Sequence, residues 1–343
     1  MRPAFSVIFF SVLTGAGYGL LACAAISAWI GPHCVPTVCA QSLLPPDAQS
    51  AFLGALVLLA IALVVAGLGA SVLHLGRPER VWRALSQWRS SWLSREGVSA
   101  GASLLAAATF VALLWTGQLG LATRIAAVAC VVFAATTVFC TARIYTSLPP
   151  IPAWRGGLVL PGYFLFAATT GLALWLALSR ILVGSVPAFA VASLTGCAVA
   201  TAAIKWRYWR AVDTLAMPAT AHMTGLDRIG AARSFEAPHT EANYLTREMG
   251  FRFARRHAGV LRATVVLSLI GAGAIAILCL TVPAFASTPL SAAMPRPPGE
   301  AMYATVAAAL LVLAALLALL AAFVERWLFF AEARHMVMAY YQR

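Results

Sequence analysis

The chain has 343 residues, of which 62% are hydrophobic and 10% are charged, and its formal net charge is +13. A soluble domain is about 45–50% apolar and about 25% charged, so this composition excludes an ordinary soluble domain as well as a disordered, collagenous or disulfide-rich secreted chain. Most of the apolar surface must face lipid. In a membrane protein the positive charge is explained by basic residues in cytoplasmic loops, and we expect no nucleic-acid partner.

Eight apolar runs lie along the chain, each about as long as the 20 residues that cross a bilayer. We therefore predict an all-α, polytopic integral membrane protein with eight transmembrane helices in one bundle. The first run continues to Ile30 without a break and seven more follow, which favours a true span over a cleaved signal. The predicted spans lie near residues 4–29, 51–73, 98–115, 125–144, 158–178, 183–204, 260–282 and 303–323.

The distribution of basic residues predicts the orientation of these spans. If the N-terminus is cytoplasmic, 21 of the 24 Lys and Arg residues fall in inside segments, and only Arg124, Arg180 and Arg296 fall outside. This bias alternates across all seven loops, as the positive-inside rule requires. We predict that both termini are cytoplasmic and that residues 1–343 form a single membrane domain.

The loop between the first two spans contains Cys34 and Cys39 and is predicted to face the outside. An oxidising compartment permits a disulfide between them, and two free cysteines are the alternative. The other five cysteines lie in apolar runs and are expected to be unreactive. Because the chain has no Cys-x-x-Cys pair, we expect neither an iron–sulfur cluster nor a structural zinc.

Two inside segments are long enough to serve as docking segments for other proteins. Residues 75–95 are rich in Arg and Trp, which predicts an amphipathic segment at the membrane interface. Residues 206–257 mix acidic and basic side chains and are too long for a simple turn. We interpret the second segment as a docking surface outside the membrane, and a solvated linker is the alternative.

The middle thirds of the predicted spans contain almost no ionisable residues, which argues against a proton pump or an ion-coupled transporter. The polar residues Tyr18, Tyr163 and Gln118 can simply form hydrogen bonds between helices. None of the six histidines lies in the middle of a span, so we expect no haem held between two helices. No metal site is predicted in this chain.

His74 ends the second span and Glu96 begins the third, so a helical hairpin returns both residues to the same membrane depth. An imidazole exchanges protons near neutral pH, and a poorly solvated carboxyl group at the lipid boundary can do so as well. The pair suits hydrogen bonding to a quinone carbonyl and proton exchange with the cytoplasm. An interfacial ion pair, with the glutamate favoured by the helix dipole, explains the same residues.

Three segments of the chain resemble a known family. The motif His-Leu-Gly-x-Pro at 74–78, followed by Leu-Ser-x-Glu at 93–96, is similar to the signature hairpin of the membrane anchor subunits of dimethyl sulfoxide reductase-type molybdoenzymes. The motif Arg-x-Tyr-x-Ser, then Pro-x-Trp, at 143–154 resembles the segment after the fourth span in that family. The closing run at 325–335 most resembles the branch that anchors cytoplasmic sulfite dehydrogenase.

This resemblance implies a metal-free anchor in the bacterial inner membrane, in contact with membrane lipid, that binds ubiquinone or menaquinone. It implies direct contact, on the cytoplasmic face, with a four-cluster iron–sulfur subunit, which in turn joins a catalytic subunit that holds molybdopterin guanine dinucleotide. The family's quinone-site His and Glu map onto His74 and Glu96, and a basic residue of the hairpin maps onto Arg80. The positions that match as shaping residues are Gly76, Pro78 and Ser94.

Docking on the inside favours sulfite oxidation, with electrons passing to quinone. An anchor of a dimethyl sulfoxide-type reductase, running in the quinol-oxidising direction of anaerobic respiration, is an alternative. A small-molecule transporter is another, because the glycine pairs at 15–17 and 67–69 could break helices, although close helix packing explains them equally well. A third is a purely structural anchor, with quinone acting on another subunit.

Overall fold

The computed structural model consists of eight long α-helices, and no β-strand occurs among the residues that it describes. The prediction of an all-α fold is confirmed. The described residues are 3–30, 45–73, 75–117, 120–216, 220–230, 253–281 and 300–341, together with 235, 236, 239, 241, 243 and 249. The long helices are α1 Phe5–Ile30, α2 Pro46–Val72, α3 Trp92–Trp115, α4 Leu121–Thr146, α5 Val159–Leu182, α6 Ala188–Asp213, α7 Phe253–Thr281 and α8 Glu300–Ala331.

All eight helices are long and apolar enough to cross a membrane, so the chain is a multi-pass membrane protein. Large aliphatic side chains point away from the bundle on several of them; Leu105 is 71% exposed and Leu267 is 67% exposed. Exposed apolar surface on this scale would be unfavourable in water. It is the surface expected of helices surrounded by lipid.

Two helices extend well past the predicted ends of their spans. The apolar run of α6 stops before Lys205 and that of α8 stops before Glu325, yet the helices continue to Asp213 and Ala331. The charged residues remain helical because they find partners inside the bundle, as described below. At the other end of α6, Gly184 has a positive φ of 79° and delays the start of the helix beyond the predicted residue 183.

Helix α1 lies at the centre of the bundle, against α2, α4, α5 and α8. The pairs α1–α2, α3–α4 and α7–α8 form antiparallel hairpins, and α6 lies between α5 and α7. Consequently α3, α5 and α7 begin, and α2, α4, α6 and α8 end, on the same side of the bundle. We call this side the basic end, because most arginines of the chain lie there.

Glycines allow α1 to approach its neighbours closely. A Cβ atom on Gly19 would lie 1.9 Å from the backbone oxygen of Ala167 in α5, and one on Gly171 would lie 2.3 Å from the carbonyl carbon of Gly19. Gly17 and Gly67 make similar contacts between α1 and α2. These helices are continuous, so the glycines at 17 and 67 serve packing and do not break the helices.

Candidate functional site

Glu96 lies in the second turn of α3, and its side chain is directed into the bundle. The residue is 4% exposed. Its Oε1 accepts a hydrogen bond from the hydroxyl of Thr141 in α4. The sequence predicted a carboxyl group at the lipid boundary; the structure instead places it between α3 and α4, near the basic end, where its charge or proton is shielded from lipid.

The predicted quinone site also includes His74 and Arg80, of which the structure describes only Arg80. His74 lies outside the described residues, so its expected position beside Glu96 remains a prediction. Arg80 lies on an exposed 3-10 helix, Pro78–Leu85, with its side chain 48% exposed and its Nε 3.9 Å from Oε1 of Glu79. Within the described part of the chain, Arg80 and Glu96 form no ion pair with each other.

The shaping positions fold the 3-10 helix against the start of α3. Pro78 is the first residue of that helix, and Gly76 has open space around its Cα. The hydroxyl of Ser94 donates a hydrogen bond to the carbonyl oxygen of Ala84. A Cβ atom on Gly97 would lie 2.6 Å from the side chain of Leu85, so the glycine permits this close contact.

Other predictions fall partly or wholly outside the described residues. The candidate disulfide of Cys34 and Cys39 lies outside them, as do Gln118 and much of the segment 206–257. The five described cysteines are free and lie within helices. The segment 75–95 is described: Trp82 and Trp88 are exposed, and each has a neighbouring arginine over its ring.

The sequence did not predict a buried ion cluster formed by Lys205, Glu325 and Arg326. Nζ of Lys205 is 2.5 Å from Oε1 of Glu325, and Nε of Arg326 is 2.8 Å from Oε2 of the same carboxylate. All three side chains are at most 5% exposed. Two cations therefore share one anion inside the bundle, an arrangement that is maintained only where charges are paired.

The sequence signal for this cluster is a charged residue at the end of each of two apolar runs, which by itself indicates only the end of a span. Lys205 is the only lysine in the chain, and Glu325 lies 120 positions after it. No spacing rule links residues so far apart, because their contact depends on how α6 and α8 are arranged in the bundle. A single lysine directly after an apolar run could have been interpreted as a buried charge in need of a partner.

The structure brings together two of the segments that carry the family resemblance. The ring of Trp154 stacks on Phe329 with centroids 5.3 Å apart, and its Nε1 donates a 3.0 Å hydrogen bond to the Phe329 carbonyl oxygen. Tyr145 contacts Phe329 and Phe330 with ring centroids 5.6 and 5.4 Å apart. The segment after α4 and the end of α8 thus form one aromatic cluster at the basic end.

A small polar cavity lies between Glu96 and the ion cluster. Its volume is about 20 Å³, and Thr141, Tyr18, Tyr163 and Arg326 contribute to its wall. The guanidinium carbon of Arg326 lies 3.8 Å from the ring centroid of Tyr163. Thr137 in α4 lies beside the Tyr18 hydroxyl and Arg326 in α8 lies beside the Tyr163 hydroxyl, which agrees with an interhelical role for both tyrosines. Neither hydroxyl forms a hydrogen bond of good geometry among the described residues.

A larger polar cleft of about 260 Å³ lies at the basic end, between α6, α7 and the end of α8. Arg262 joins these elements: its Nη1 and Nη2 lie 2.7 and 2.8 Å from the two carboxylate oxygens of Asp213, and its Nη2 lies 2.9 Å from Oε1 of Glu332. Burial raises the pKa of Glu332, and the nearby Arg262 opposes that shift. The cleft therefore contains a carboxyl group that is paired with Arg262 and whose pKa lies above its ordinary value.

An apolar crevice of about 440 Å³ lies deeper in the bundle, between α1, α4, α5 and α6. Its wall includes Phe164, Trp175 and Phe189, and Tyr18 contributes to both this crevice and the polar cavity. Its lining suits a hydrocarbon chain. Among the described residues there is no group of three or more His, Cys, Asp or Glu side chains that could hold a metal ion.

Comparisons with known proteins agree with the resemblance. A family described as "DMSO reductase anchor subunit (DmsC)" matches residues 2–205. The chain is 33% identical, over 183 residues, to a sulfite dehydrogenase subunit from Allochromatium vinosum. That match covers 50% of this chain and 53% of the relative, so the chain spans about half the length of the curated relative that it matches.

Proposed function

Because the chain belongs to the family of dimethyl sulfoxide reductase anchor subunits, we propose that it is the membrane anchor and quinone-binding subunit of a heterotrimeric molybdenum oxidoreductase. It passes electrons between an iron–sulfur subunit, docked at the basic end, and the quinone pool. The catalytic subunit of the complex carries the molybdopterin guanine dinucleotide. The location that fits this function is the inner membrane of a bacterium, with the basic end in the cytoplasm.

The observation that carries this proposal is the buried carboxyl group of Glu96 at the basic end, with the hydroxyl of Thr141 as its partner. Reduction of a quinone consumes protons, and a carboxyl group that is shielded from lipid can supply them at a fixed position. The residues present fit a quinone headgroup, since a carbonyl oxygen needs a hydrogen-bond donor inside an otherwise apolar protein. His74 is the second proton-exchanging group in this proposal, and Arg80 supplies positive charge from the hairpin.

The direction of electron flow is proposed from two observations. The relative from Allochromatium vinosum is a subunit of a sulfite dehydrogenase, and the positive-inside bias supports a docking face in the cytoplasm. Oxidation of sulfite by the partner subunits, with electrons passing through the anchor to ubiquinone or menaquinone, fits both.

The proposal is tested by replacing Glu96 with Gln and, separately, His74 with Ala in the complete complex. We expect each change to abolish sulfite-dependent quinone reduction, because the quinone loses a proton donor, and to leave reduction of an artificial dye by the partner subunits unchanged. Both rates are measured on the same preparation. Asp47→Asn is the control, since Asp47 is an exposed carboxylate in the first turn of another helix, α2, and belongs to no part of the proposed site.

The outcomes separate the parts of the proposal. Normal quinone turnover in both variants would remove these residues from the mechanism and favour a purely structural anchor. A chain that purifies without iron–sulfur partners would contradict the proposed complex. Loss of dye reduction in Glu96→Gln would mean that the substitution disrupts assembly and not quinone chemistry.

A further inference from the structure

Three buried polar groups in the wall of the polar cavity form no hydrogen bond of good geometry with the protein, although Thr137 lies beside the Tyr18 hydroxyl and Arg326 beside that of Tyr163. They are the hydroxyls of Tyr18 and Tyr163 and Nη1 of Arg326, none of which forms a hydrogen bond within the part of the chain that the structure describes. A buried polar group without a hydrogen bond destabilises the folded state. A water molecule that meets two to four polar groups removes this destabilisation, and a cavity of about 20 Å³ has room for one.

On one side of the cavity, Thr141 connects this water position to Glu96. The Thr141 hydroxyl lies within hydrogen-bond distance of both Oε1 of Glu96 and, at 2.9 Å, the carbonyl oxygen of Thr137. A hydroxyl has one proton to donate. It donates to Glu96 when that carboxyl is ionised; when the carboxyl is protonated, it accepts from Glu96 and donates to Thr137. The same geometry therefore accommodates both protonation states of Glu96.

On the other side, Arg326 connects the cavity to the ion cluster and the cleft. Arg326 contributes to the cavity wall and contacts Glu325, which also contacts Lys205. Lys205 and Arg262 approach the same ring, that of Trp209, with their charged groups 5.7 and 5.6 Å from its centroid. The ring of Trp209 therefore separates Lys205 from the cleft, and a proton crosses this gap only through solvent beside the ring.

We propose that the cavity holds an ordered water that passes protons between Glu325 and Glu96. Thr141 connects the water to Glu96, and the pair of Lys205 and Glu325 connects it to the cleft at the basic end. Arg326 keeps its own proton and is a positioning residue: it orients the water, and its contact with Glu325 must open for that carboxylate to reach the water.

This proposal rests on the proposed function, which defines the reaction that consumes the protons. One quinone takes two electrons and two protons to become a quinol. The electrons come from the partner's iron–sulfur clusters. Each proton passes from Glu96 to a quinone oxygen. The ordered water with Thr141, Lys205 and Glu325, which we call the relay, then returns a proton from solvent in the cleft to the Glu96 carboxylate. Charge and atoms therefore balance.

The test replaces relay hydroxyls in the complete complex with the smallest possible changes, Tyr163→Phe and Thr141→Val. Positioned proton transfer contributes about 10²–10⁴-fold to a rate, so we expect each variant to reduce quinone at roughly a tenth of the normal rate or less. Dye reduction should not change. The solvent deuterium isotope effect on quinone reduction should rise, because proton delivery becomes limiting, and Thr141→Ser should restore the rate.

Two matched controls remove the same atoms elsewhere in the bundle. Tyr145→Phe removes the hydroxyl of a ring stacked 6.0 Å from Tyr163 that is not part of the cavity wall. Thr169→Val removes another buried interhelical hydroxyl, which lies 3.1 Å from that of Thr201. Quinone reduction in both controls should stay within about twofold of the normal rate, as expected for residues outside the relay.

The results separate failure of the relay from failure of the proposed function. If Glu96→Gln abolishes quinone reduction while Tyr163→Phe and Thr141→Val have normal rates and isotope effects, the relay is wrong and the quinone function stands. If Glu96→Gln and His74→Ala both have normal rates, the proposed function fails. A structure of the intact complex at a resolution that shows waters decides the matter without any variant: density between Tyr163 and Arg326 supports the relay, and a dry cavity overturns it.

Discussion

Glu325 is the single anion between two buried cations. We therefore predict that removing its charge lowers the free energy of unfolding more than removing the charge of one of the cations. Replacing Glu325 with Gln leaves Lys205 and Arg326 as unpaired like charges, which should lower the free energy of unfolding by about 3–5 kcal/mol or more. Replacing Lys205 with Met leaves the ion pair of Arg326 and Glu325 intact at 2.8 Å, so it should lower the free energy of unfolding by less. Thermal unfolding of the purified chain in detergent measures both.

The variant Lys205→Met combined with Glu325→Gln tests whether the two residues interact directly. Their 2.5 Å contact predicts a coupling, so the effect of the two changes together should be smaller than the sum of their separate effects. Additive effects would mean that each charge is stabilised by its other neighbours, and a Lys205→Met variant less stable than Glu325→Gln would contradict the ranking.

At the end of the described chain, His335 predicts a pH dependence. Its Nδ1 accepts a 3.1 Å hydrogen bond from the backbone N–H of Val337, which requires a neutral ring, and burial lowers its pKa below the ordinary 6.5. The unfolded segment therefore binds a proton more readily than the folded one. The hydrogen bond of neutral His335 stabilises the fold above about pH 6.5, and this stabilisation is lost as the pH falls below that value.

Hydrogen exchange of the Val337 amide measures this effect, after correction for the intrinsic pH dependence of exchange. Protection should be lower at acidic than at neutral pH, relative to amides inside α8. His335→Gln, which cannot take up a proton in this range, should show protection that does not vary with pH. A pH response that persists in this variant would assign the effect to another group.

At the scale of helices, the contact between α1 and α5 depends on two glycines. Gly171→Ala would place a methyl group 2.3 Å from the backbone of Gly19, and backbone cannot move aside as a flexible side chain can. We expect overpacking to lower the free energy of unfolding by about 1–3 kcal/mol or more. The measurement is the unfolding temperature in detergent, which should fall. Gly69→Ala in α2 is the matched control: its Cβ would meet nothing within 4 Å, and alanine is the better helix former by about 1 kcal/mol.

The hydropathy pattern correctly predicts that these helices exist. It does not predict the residues at which they end or the helices that they contact. The ends of α6 and α8 were placed at the first charged residue, because a charge next to lipid is costly. Lys205 and Glu325 avoid that cost by pairing with each other across the bundle, which no local pattern in either helix indicates. Similarly, Glu96 could be identified as a candidate from its position in a hairpin, but its partner Thr141 follows only from the packing of α4 on α3.

For the whole molecule, the basic end is where the candidate site, the aromatic cluster and the polar cleft meet. The segments at 143–154 and 325–335 lie far apart in sequence, yet Trp154 and Phe329 join them. The ion cluster lies next to this aromatic cluster, because Arg326 precedes Phe329 by about one turn of α8. A partner docked at this end would therefore contact a surface supported by the residues that also surround the proposed relay.

The distribution of arginine predicts the orientation of the bundle, and a matched pair of residues tests this prediction. Thr116 follows α3 and Ser147 follows α4; both are exposed, and each hydroxyl donates a hydrogen bond to the carbonyl oxygen three residues earlier. They differ in the end of the bundle at which they lie. With Cys34 and Cys39 replaced by Ser, we expect Thr116→Cys to react with a membrane-impermeant thiol reagent in intact cells, and Ser147→Cys to react only after the cells are opened.

Because the two positions share their local structure, a difference in labelling reports on the side of the membrane and not on accessibility. Equal labelling after opening the cells is the control for reactivity. The reverse pattern would place the basic end outside, where the iron–sulfur partner would have to be exported, and sulfite oxidation in the cytoplasm could no longer be the source of electrons. The charge distribution across the eight helices therefore bears directly on the chemistry that this anchor can serve.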